Sequence, residues 1–191
     1  MGNALAILLV TALQAAPAPE GELPAERPAV SAPSLERKIH EQVNAARTER
    51  GLAPLARDDA LDDIARVHSE EMATTGVLSH VNQRGQGPME RGFEAGYRCR
   101  KDYGQRYTIG VSENLSQQNL YDSVRRVLED GQVVGEIYDW NTEEDIARST
   151  VQGWLASEEH RQNLLEPRFD REGIGVAITA DGRVYITQNL C

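Results

Sequence analysis

Three short segments, far apart along the chain, carry the side chains best suited to chemistry. His80 ends the tripeptide Leu-Ser-His, Glu113 lies in Ser-Glu-Asn-Leu, and His160 lies in WLASEEHRQNLL. Neutral imidazole binds divalent metals such as zinc, and a carboxylate can ligate the same ion or act as an acid or base. If folding brings these three side chains together, they form the beginnings of a metal site or an acid–base site.

The segment around His160 predicts a helix and supplies further candidates. Apolar residues at helical spacing form its stripe: Trp154, Leu155, Leu164 and Leu165. A helix capped by Thr142 is expected to continue without interruption to His160. Ser157 lies three residues before His160 and would share its face, whereas Glu158 and Glu159 would point elsewhere, with Glu158 the better candidate to reach the cleft.

Nucleophilic catalysis has little support in the sequence. A serine needs an activating base within reach, and Ser157 with His160 is the one such pair that helical spacing offers. The chain contains no G-x-S-x-G segment and no HExxH segment. The sequence therefore favours binding over catalysis, and a polar network that only stabilises the fold is a third possibility.

Two amphipathic helices precede these segments. The first is expected to begin after an N-cap at Ser34, to bury Leu35 and Ile39, and to end at Gly51. His40 lies beside its apolar stripe on a side expected to be exposed. The second helix is expected to be capped by Asp58 or Asp59 and closed by Gly76, with an apolar stripe at helical spacing: Leu61, Ile64, Ala65, His68 and Met72. Because His68 lies on this stripe, it is interpreted as a hydrogen-bonded core residue.

The remaining elements are shorter. A helix is expected over 89–95, a strand over 107–111, and a hairpin whose arms, 174–178 and 184–188, join at Asp181-Gly182. Between them, 117–141 is the least clear segment: VRRVLED resembles a helix, and QVVGEIYDW resembles a strand or hairpin arm.

Length and charge limit the classes of function. The 191 residues include 40% hydrophobic and 26% charged residues, enough for one domain with a full core. The formal net charge is −10. Such a chain repels phosphate backbones and anionic lipid, so we expect no nucleic-acid partner.

The N-terminal residues predict export. Residues 4–16 form an apolar run of the length of a signal-peptide core, too short to span a bilayer, with cleavage possible after Ala15. A buried core helix is the alternative interpretation. Residues 17–34 contain five prolines and are interpreted as a linker. The predicted organisation is a signal peptide over 1–16, a linker over 17–34 and one domain over 35–191, secreted or periplasmic and without a transmembrane span once mature.

The two cysteines, Cys99 and Cys191, agree with an oxidising compartment. They lack the CxxC spacing of metal and redox motifs, which favours one disulfide that holds the C-terminus. In the chain-entropy model a loop of that length contributes on the order of 4 kcal/mol. Two unrelated buried thiols are the alternative.

The order of six segments resembles a known family. They are VNAARTERGLAPL, LSHVNQRGQGPMERGFEAGY, SENLS, WLASEEHRQNLL, IGVAI and VYITQNL. This order resembles the bacterial branch of the CAP superfamily, or SCP domain, named after cysteine-rich secretory proteins, antigen 5 and pathogenesis-related protein 1. The resemblance covers about Leu35 to Cys191. It implies an α+β fold, a three-layer α-β-α sandwich with a central antiparallel sheet, and a cleft lined by two histidines and two acidic residues.

The resemblance assigns roles to individual residues. His80 and His160 match the two cleft histidines, and Glu113 matches the glutamate of the family's GENL motif, here with Ser112 in place of glycine. The adjoining Asn114 is expected to hold a turn. Where bacterial relatives have Pro-Gly before the second histidine, this chain has Glu158 and Glu159, so the second acidic position is open.

The function implied is that of a secreted binding module. His80, Glu113 and His160 would hold a divalent cation, zinc or magnesium, while nearby surfaces would bind an extracellular lipid, peptide or cell-wall component. The alternative is a metal-dependent hydrolase, peptidase-like, that uses the same cleft. A lipid ligand would need an exposed apolar groove, expected near 117–141.

Overall fold

The computed structural model describes residues 26–191, so the predicted signal peptide and the linker up to residue 25 lie outside the described residues. The helices are α1 (Ala32–Thr48), α2 (Asp59–Thr75), α3 (Pro88–Glu94), α4 (Glu143–Ala156) and α5 (Glu158–Leu164). The strands are β1 (Ala56–Arg57), β2 (Arg100–Asp102), β3 (Tyr107–Ile109), β4 (Ser112–Asn119), β5 (Tyr121–Glu129), β6 (Gln132–Trp140), β7 (Arg171–Ile178) and β8 (Arg183–Leu190).

The central sheet has four strands in the order β1-β7-β8-β4. The pairs β7–β8 and β8–β4 are antiparallel, and the two-residue strand β1 adds a short parallel edge. Helix α2 packs on β7 and β8, while α1, α4 and α5 contact β7 and β4 and share a separate apolar core. This arrangement confirms the predicted α+β class and the three-layer sandwich.

Two glycines on β7 decide how closely α2 approaches the sheet. A Cβ at Gly173 would lie 2.1 Å from the backbone carbon of Leu61, and one at Gly175 would lie 2.1 Å from the backbone nitrogen of Arg66. Alternate residues point to opposite faces of a strand, so Ile174 and Val176 enter the other core. The helix therefore rests directly on the backbone of the strand.

The first two helices form as predicted except at the two ends of α1, which stops at Thr48 rather than at the predicted Gly51. The N-cap of α1 is Ser31, whose hydroxyl accepts from the Ser34 amide, so the prediction of Ser34 as the cap is wrong. The last residues of the predicted linker belong to the helix because proline is well tolerated in a first turn. Asp58 caps α2 and Gly76 ends it with φ of 72°, as predicted.

The helix before His160 is interrupted, contrary to prediction. Ser157 has extended backbone angles, φ −84° and ψ 130°, and it ends α4 and begins α5. Loss of the Pro-Gly pair seen in relatives was expected to let the helix continue. Helix propensity alone does not decide this point, since α5 turns to contact β4.

Residues 121–140 form a β-hairpin, β5–β6, rather than a helix followed by a strand. The prediction of a helix for VRRVLED is wrong. Val124, Val127 and Leu128 have helical spacing, but in the hairpin they lie opposite Tyr138, Gly135 and Val133 of β6. β-Branched and aromatic residues favour strands.

The C-terminus is held by a disulfide between Cys99 and Cys191, whose Cα atoms lie 5.6 Å apart. The predicted pairing is confirmed. Both cysteines are buried beside Leu61 and Val111, and the bond ties the segment before β2 to the end of β8.

Candidate functional site

Glu113 is a buried carboxylate at the centre of the candidate site. It lies near the start of β4, and only 1% of its side chain is exposed. One oxygen, Oε1, accepts from Nδ1 of His80 at 2.8 Å, and the other accepts from Nη2 of Arg91. Both carboxylate oxygens are therefore occupied by side chains of this chain.

Arg91, on α3, was missed by the sequence analysis. It is 5% exposed at its side chain and also donates to the backbone oxygens of His80, at 2.8 Å, and Gln86, at 2.9 Å. A buried cation is stabilised by charge-assisted bonds of this kind. Arg91 thus fixes both the carboxylate and the loop that carries His80. No motif around it in the sequence indicates this role.

His80 lies in the loop after α2, and its ring remains half exposed, with 51% of the side chain accessible. Ser79, the residue before His80, is held by a hydrogen bond in which Nε2 of His68 donates to the Ser79 carbonyl at 2.8 Å. His68 is almost fully buried, and burial lowers the pKa of its imidazole. The prediction that His68 is a hydrogen-bonded core residue is confirmed.

His160 lies on α5, and Asn163 of the same helix donates to the backbone carbonyl of Glu113 at 3.2 Å. Burial lowers the pKa of its imidazole, and the charge of His80 lowers it further, while Glu159 acts in the opposite direction. The helix of His160 therefore lies against the strand of Glu113, and the meeting of the His80, Glu113 and His160 side chains at one site stays a prediction.

Asn114 ties α5 to the sheet rather than holding a turn, so its predicted local role is wrong. It lies within β4, fully buried, and donates to the carbonyl of His160 at 3.1 Å and to Oε1 of Gln188 at 2.8 Å. Asn163 of α5 donates to its Oδ1 at 3.0 Å. A single buried amide thus sets the distance between the helix of His160 and the strand of Glu113.

The three candidates just before His160 play smaller parts. Ser157 separates two helices and makes no hydrogen bond with His160 among the described residues, which disfavours a serine nucleophile. Glu158 is exposed and accepts from Gln162 at 3.3 Å, and Glu159 is also exposed. Of these two carboxylates, Glu159 is the one whose charge acts to raise the pKa of His160.

Glu113 is engaged by neighbouring side chains rather than free to bind a metal ion. Among residues 26–191 no group of three or more His, Cys, Asp or Glu side chains is placed to hold a metal ion. Both carboxylate oxygens of Glu113 accept hydrogen bonds, one from His80 and the other from Arg91. A carboxylate that orients a histidine ligand from behind is a common outer partner in metal sites.

The sequence can now be compared with known families. A family model described as the cysteine-rich secretory protein family, CAP, matches residues 40–190. The chain belongs to the CAP family.

Two curated relatives of this CAP domain come from Bacillus subtilis strain 168. The uncharacterized protein YkwD is 28% identical over 162 residues, which cover 83% of this chain and 49% of that protein. The uncharacterized membrane protein YlbC is 28% identical over 158 residues, covering 81% of this chain and 33% of that protein. The CAP chain therefore spans between a third and a half of these relatives.

Solved structures share the fold. An extracellular protein containing an SCP domain from Bacillus anthracis has a TM-score of 0.57 and 23% identity, covering 83% of this chain and 40% of that one. An outer surface protein from Borrelia burgdorferi has a TM-score of 0.59 and 17% identity, covering 84% and 94%. At these identities the similarity concerns the fold alone.

This CAP domain has a partly apolar groove beside α2. A groove of about 350 Å³ runs between α2 and the segment 82–95, with Ile64 and Val67 in its floor and Glu71, Arg84 and Glu94 among its charged groups. The segment 117–141, where a lipid groove was expected, forms the projecting hairpin instead. Among residues 26–191 no helix has the length and apolar character needed to cross a membrane.

A second polar network of the CAP domain includes His40, which was expected to be exposed without a role. Its Nδ1 lies 2.7 Å from Oε1 of Glu172, a fully buried carboxylate whose other oxygen accepts from Gln188 at 2.6 Å. Gln188 also accepts from Asn114. The network therefore runs from α1 through the sheet to the strand that carries Glu113.

Proposed function

We propose that this chain is an extracellular CAP-domain binding module whose cleft holds a divalent cation between His80 and His160. The observation that supports it best is the contact between His80 Nδ1 and Glu113 Oε1 at 2.8 Å. A carboxylate that accepts from Nδ1–H keeps the proton there and leaves the lone pair of Nε2 available as a metal ligand.

The protonation state of His160 supports the same conclusion. Metal ligation needs neutral imidazole, and burial together with His80 lowers the pKa of His160. The ring is therefore mostly neutral at pH 7. A bound cation would supply a positive centre with water in its remaining positions.

The ligand types favour zinc over magnesium. Imidazole nitrogen suits zinc, whereas magnesium prefers oxygen ligands in octahedral geometry. The nearest carboxylate, Glu113, is already engaged by Arg91. We therefore propose zinc as the preferred ion of the two that the sequence suggested.

An extracellular location is supported by the chemistry of the cysteines. The Cys99–Cys191 disulfide is of the kind that persists in oxidising compartments. The similar Bacillus anthracis protein is described as extracellular, and the Borrelia burgdorferi protein as an outer surface protein. The signal peptide predicted for residues 1–16 agrees with this location.

Titration calorimetry of the untagged protein with zinc chloride tests the cation site. We expect one zinc per chain, no saturable binding after His80→Ala or His160→Ala, and weaker binding by about 10–100-fold after Glu113→Gln. Glu158→Gln is the matched control, since this exposed carboxylate lies two residues from His160, and it should leave zinc binding unchanged. Zinc binding that survives both histidine substitutions would contradict the proposal.

The same variants separate binding from hydrolysis. A hydrolase that uses this cleft would cleave a peptide or ester library in a zinc-dependent manner and lose that activity with His80→Ala. We expect zinc binding without such turnover, because Glu113, the carboxylate that would act as the base for a zinc-bound water, already accepts from His80 and Arg91. Zinc-dependent cleavage would favour the hydrolase alternative.

A further inference from the structure

The hairpin β5–β6 stands apart from the three-layer sandwich. It forms a two-stranded sheet of its own, and no backbone hydrogen bond joins residues 122–139 to the rest of the described chain. Its base is held by contacts among Tyr121, Tyr138 and Trp140, the last two with ring centroids 4.6 Å apart. Isolated two-stranded hairpins are marginally stable in water, and further strands stabilise them.

The distal half of the hairpin exposes apolar side chains beside an open edge. Leu128 is 61% exposed, Val133 and Val134 are each 54% exposed, and Val127 is 38% exposed. The outer edge of β5 has no partner strand among residues 26–191. An edge of this kind presents free N–H and C=O groups to another strand.

The charges on β5 are arranged for a second copy of the same strand. Arg125, Val127 and Glu129 alternate along the strand and so lie on one face. Neither Arg125 nor Glu129 has an ion-pair partner in the described chain, whereas Arg126, on the other face, lies 3.6 Å from Glu136. One arginine and one glutamate thus flank a central valine at equal distances.

We propose that two copies of this chain associate through antiparallel pairing of their β5 strands, with the two-fold axis at Val127. In that register Val127 lies opposite Val127 of the second copy, and Arg125 lies opposite Glu129 of the second copy. The symmetry repeats the ion pair on both sides, as an isologous interface requires. Two hairpins then form one four-stranded sheet with the apolar side chains of both tips adjacent.

Other registers of the same pairing are less favourable. Centring the axis on Arg125 or Arg126 places two arginines directly opposite each other, which is destabilising. Centring it on Val124 would pair Asp122 with Arg126, but the ladder of β5 is irregular between Tyr121 and Ser123. The register through Val127 satisfies both unpaired charges. The β5–β6 ladder also shifts between Val127 and Leu128, but the residue skipped there is Val134 of β6, and residues 123–129 of β5 all remain paired in sequence.

Sedimentation velocity over about 1–200 µM protein, at low and high salt, tests the interface. We expect a reversible dimer that weakens as salt increases. Arg125→Glu alone and Glu129→Arg alone each place like charges opposite one another twice, and each should weaken dimerisation about tenfold or more. The double variant Arg125→Glu/Glu129→Arg restores opposite charges and should dimerise within about threefold of the original protein.

Two charge changes elsewhere serve as matched controls. Arg37→Glu and Glu49→Arg alter exposed side chains on or beside α1, 58% and 74% exposed, and change the net charge by the same amounts. Neither should change the dimer. A protein that stays monomeric at the highest concentration overturns the proposal. So do single variants that dimerise normally, or a double variant that does not recover.

Discussion

Arg91 and Glu113 form an ion pair in which both side chains are buried, 5% and 1% exposed, directly beneath the half-exposed ring of His80. The pair joins α3 to β4. Arg91 thereby engages the carboxylate of Glu113, which the sequence suggested as a metal ligand. The candidate site is therefore built as an exposed imidazole supported by a buried, charge-compensated carboxylate.

Breaking this buried pair should strongly destabilise the fold. We expect Arg91→Met to lower the free energy of unfolding by about 3–5 kcal/mol, because the charge of Glu113 remains buried without its partner. The double variant Arg91→Met/Glu113→Gln should be more stable than Arg91→Met alone. Denaturant unfolding with the disulfide intact measures both.

The matched control for this prediction is an exposed pair. Arg84 contacts Glu94, but their side chains are 61% and 48% exposed. Arg84→Met should therefore leave the unfolding midpoint unchanged, since solvent screens exposed ion pairs. Equal losses from the two arginine substitutions would contradict the assignment of Arg91.

Alanine should be tolerated at one glycine and not at another. Gly175→Ala forces a Cβ to within 2.1 Å of the α2 backbone, so we expect a loss of about 3 kcal/mol or more, or failure to fold. Gly153, within α4, has open space around its Cβ position. Gly153→Ala should instead stabilise the protein by about 0.5–1 kcal/mol, because alanine favours the helix. Thermal unfolding of the two variants compares them, and a neutral Gly175→Ala would contradict the close approach of α2.

The titration of His160 should respond in opposite directions to its two neighbours. NMR should give a pKa below the usual 6.5 in the original protein. His80→Ala should raise this pKa while leaving it below 6.5, because burial is the larger cause. Glu159→Gln should lower it further. An unchanged pKa in His80→Ala would show that the two imidazoles do not share a space.

The same shift makes a prediction about stability. Because the folded-state pKa of His160 is lowered, the unfolded chain takes up this proton first as the pH falls below about 6.5. The titration of His160 therefore leaves the free energy of unfolding unchanged at pH 8 and lowers it as the pH falls towards 5. The loss should be smaller in His80→Ala, as measured by denaturant unfolding at both values.

Asn114 should matter for stability although it lies in a strand. Asn114→Ala removes partners from the carbonyl of His160 and from the amides of Asn163 and Gln188, which leaves buried polar groups unsatisfied. We expect a loss of about 3 kcal/mol and weaker zinc binding, because α5 is no longer held at β4. Gln162→Ala, on the exposed side of α5, should change neither quantity. Denaturant unfolding and zinc titration measure the two effects.

Local patterns predicted much of the architecture. Amphipathic spacing and capping residues located α1 and α2, and the Asp181-Gly182 turn located the β7–β8 hairpin. These features depend on interactions between residues close in sequence, which the sequence shows directly. The resemblance to the CAP family added the layer order and the expectation that His80, Glu113 and His160 line one cleft.

Where local and distant interactions competed, the sequence alone was misleading. Helix propensity suggested a continuous helix through Ser157 and a helix at Val124–Asp130, but contacts with β4 and pairing with β6 replaced them. Local propensities are worth tenths of a kcal/mol per residue, and tertiary packing overrides them.

The sequence by itself determined which residues were available for the candidate site, His80, Glu113 and His160, and that Cys99 and Cys191 could form one disulfide. Only the tertiary structure decided the partners of three side chains. Arg91 forms an ion pair with Glu113, Asn114 donates to the backbone carbonyl of His160, and His40 contacts the buried carboxylate of Glu172. These contacts join residues between 22 and 132 positions apart. Such contacts have no periodic signature, because they depend on how whole layers are packed and not on the spacing of neighbours.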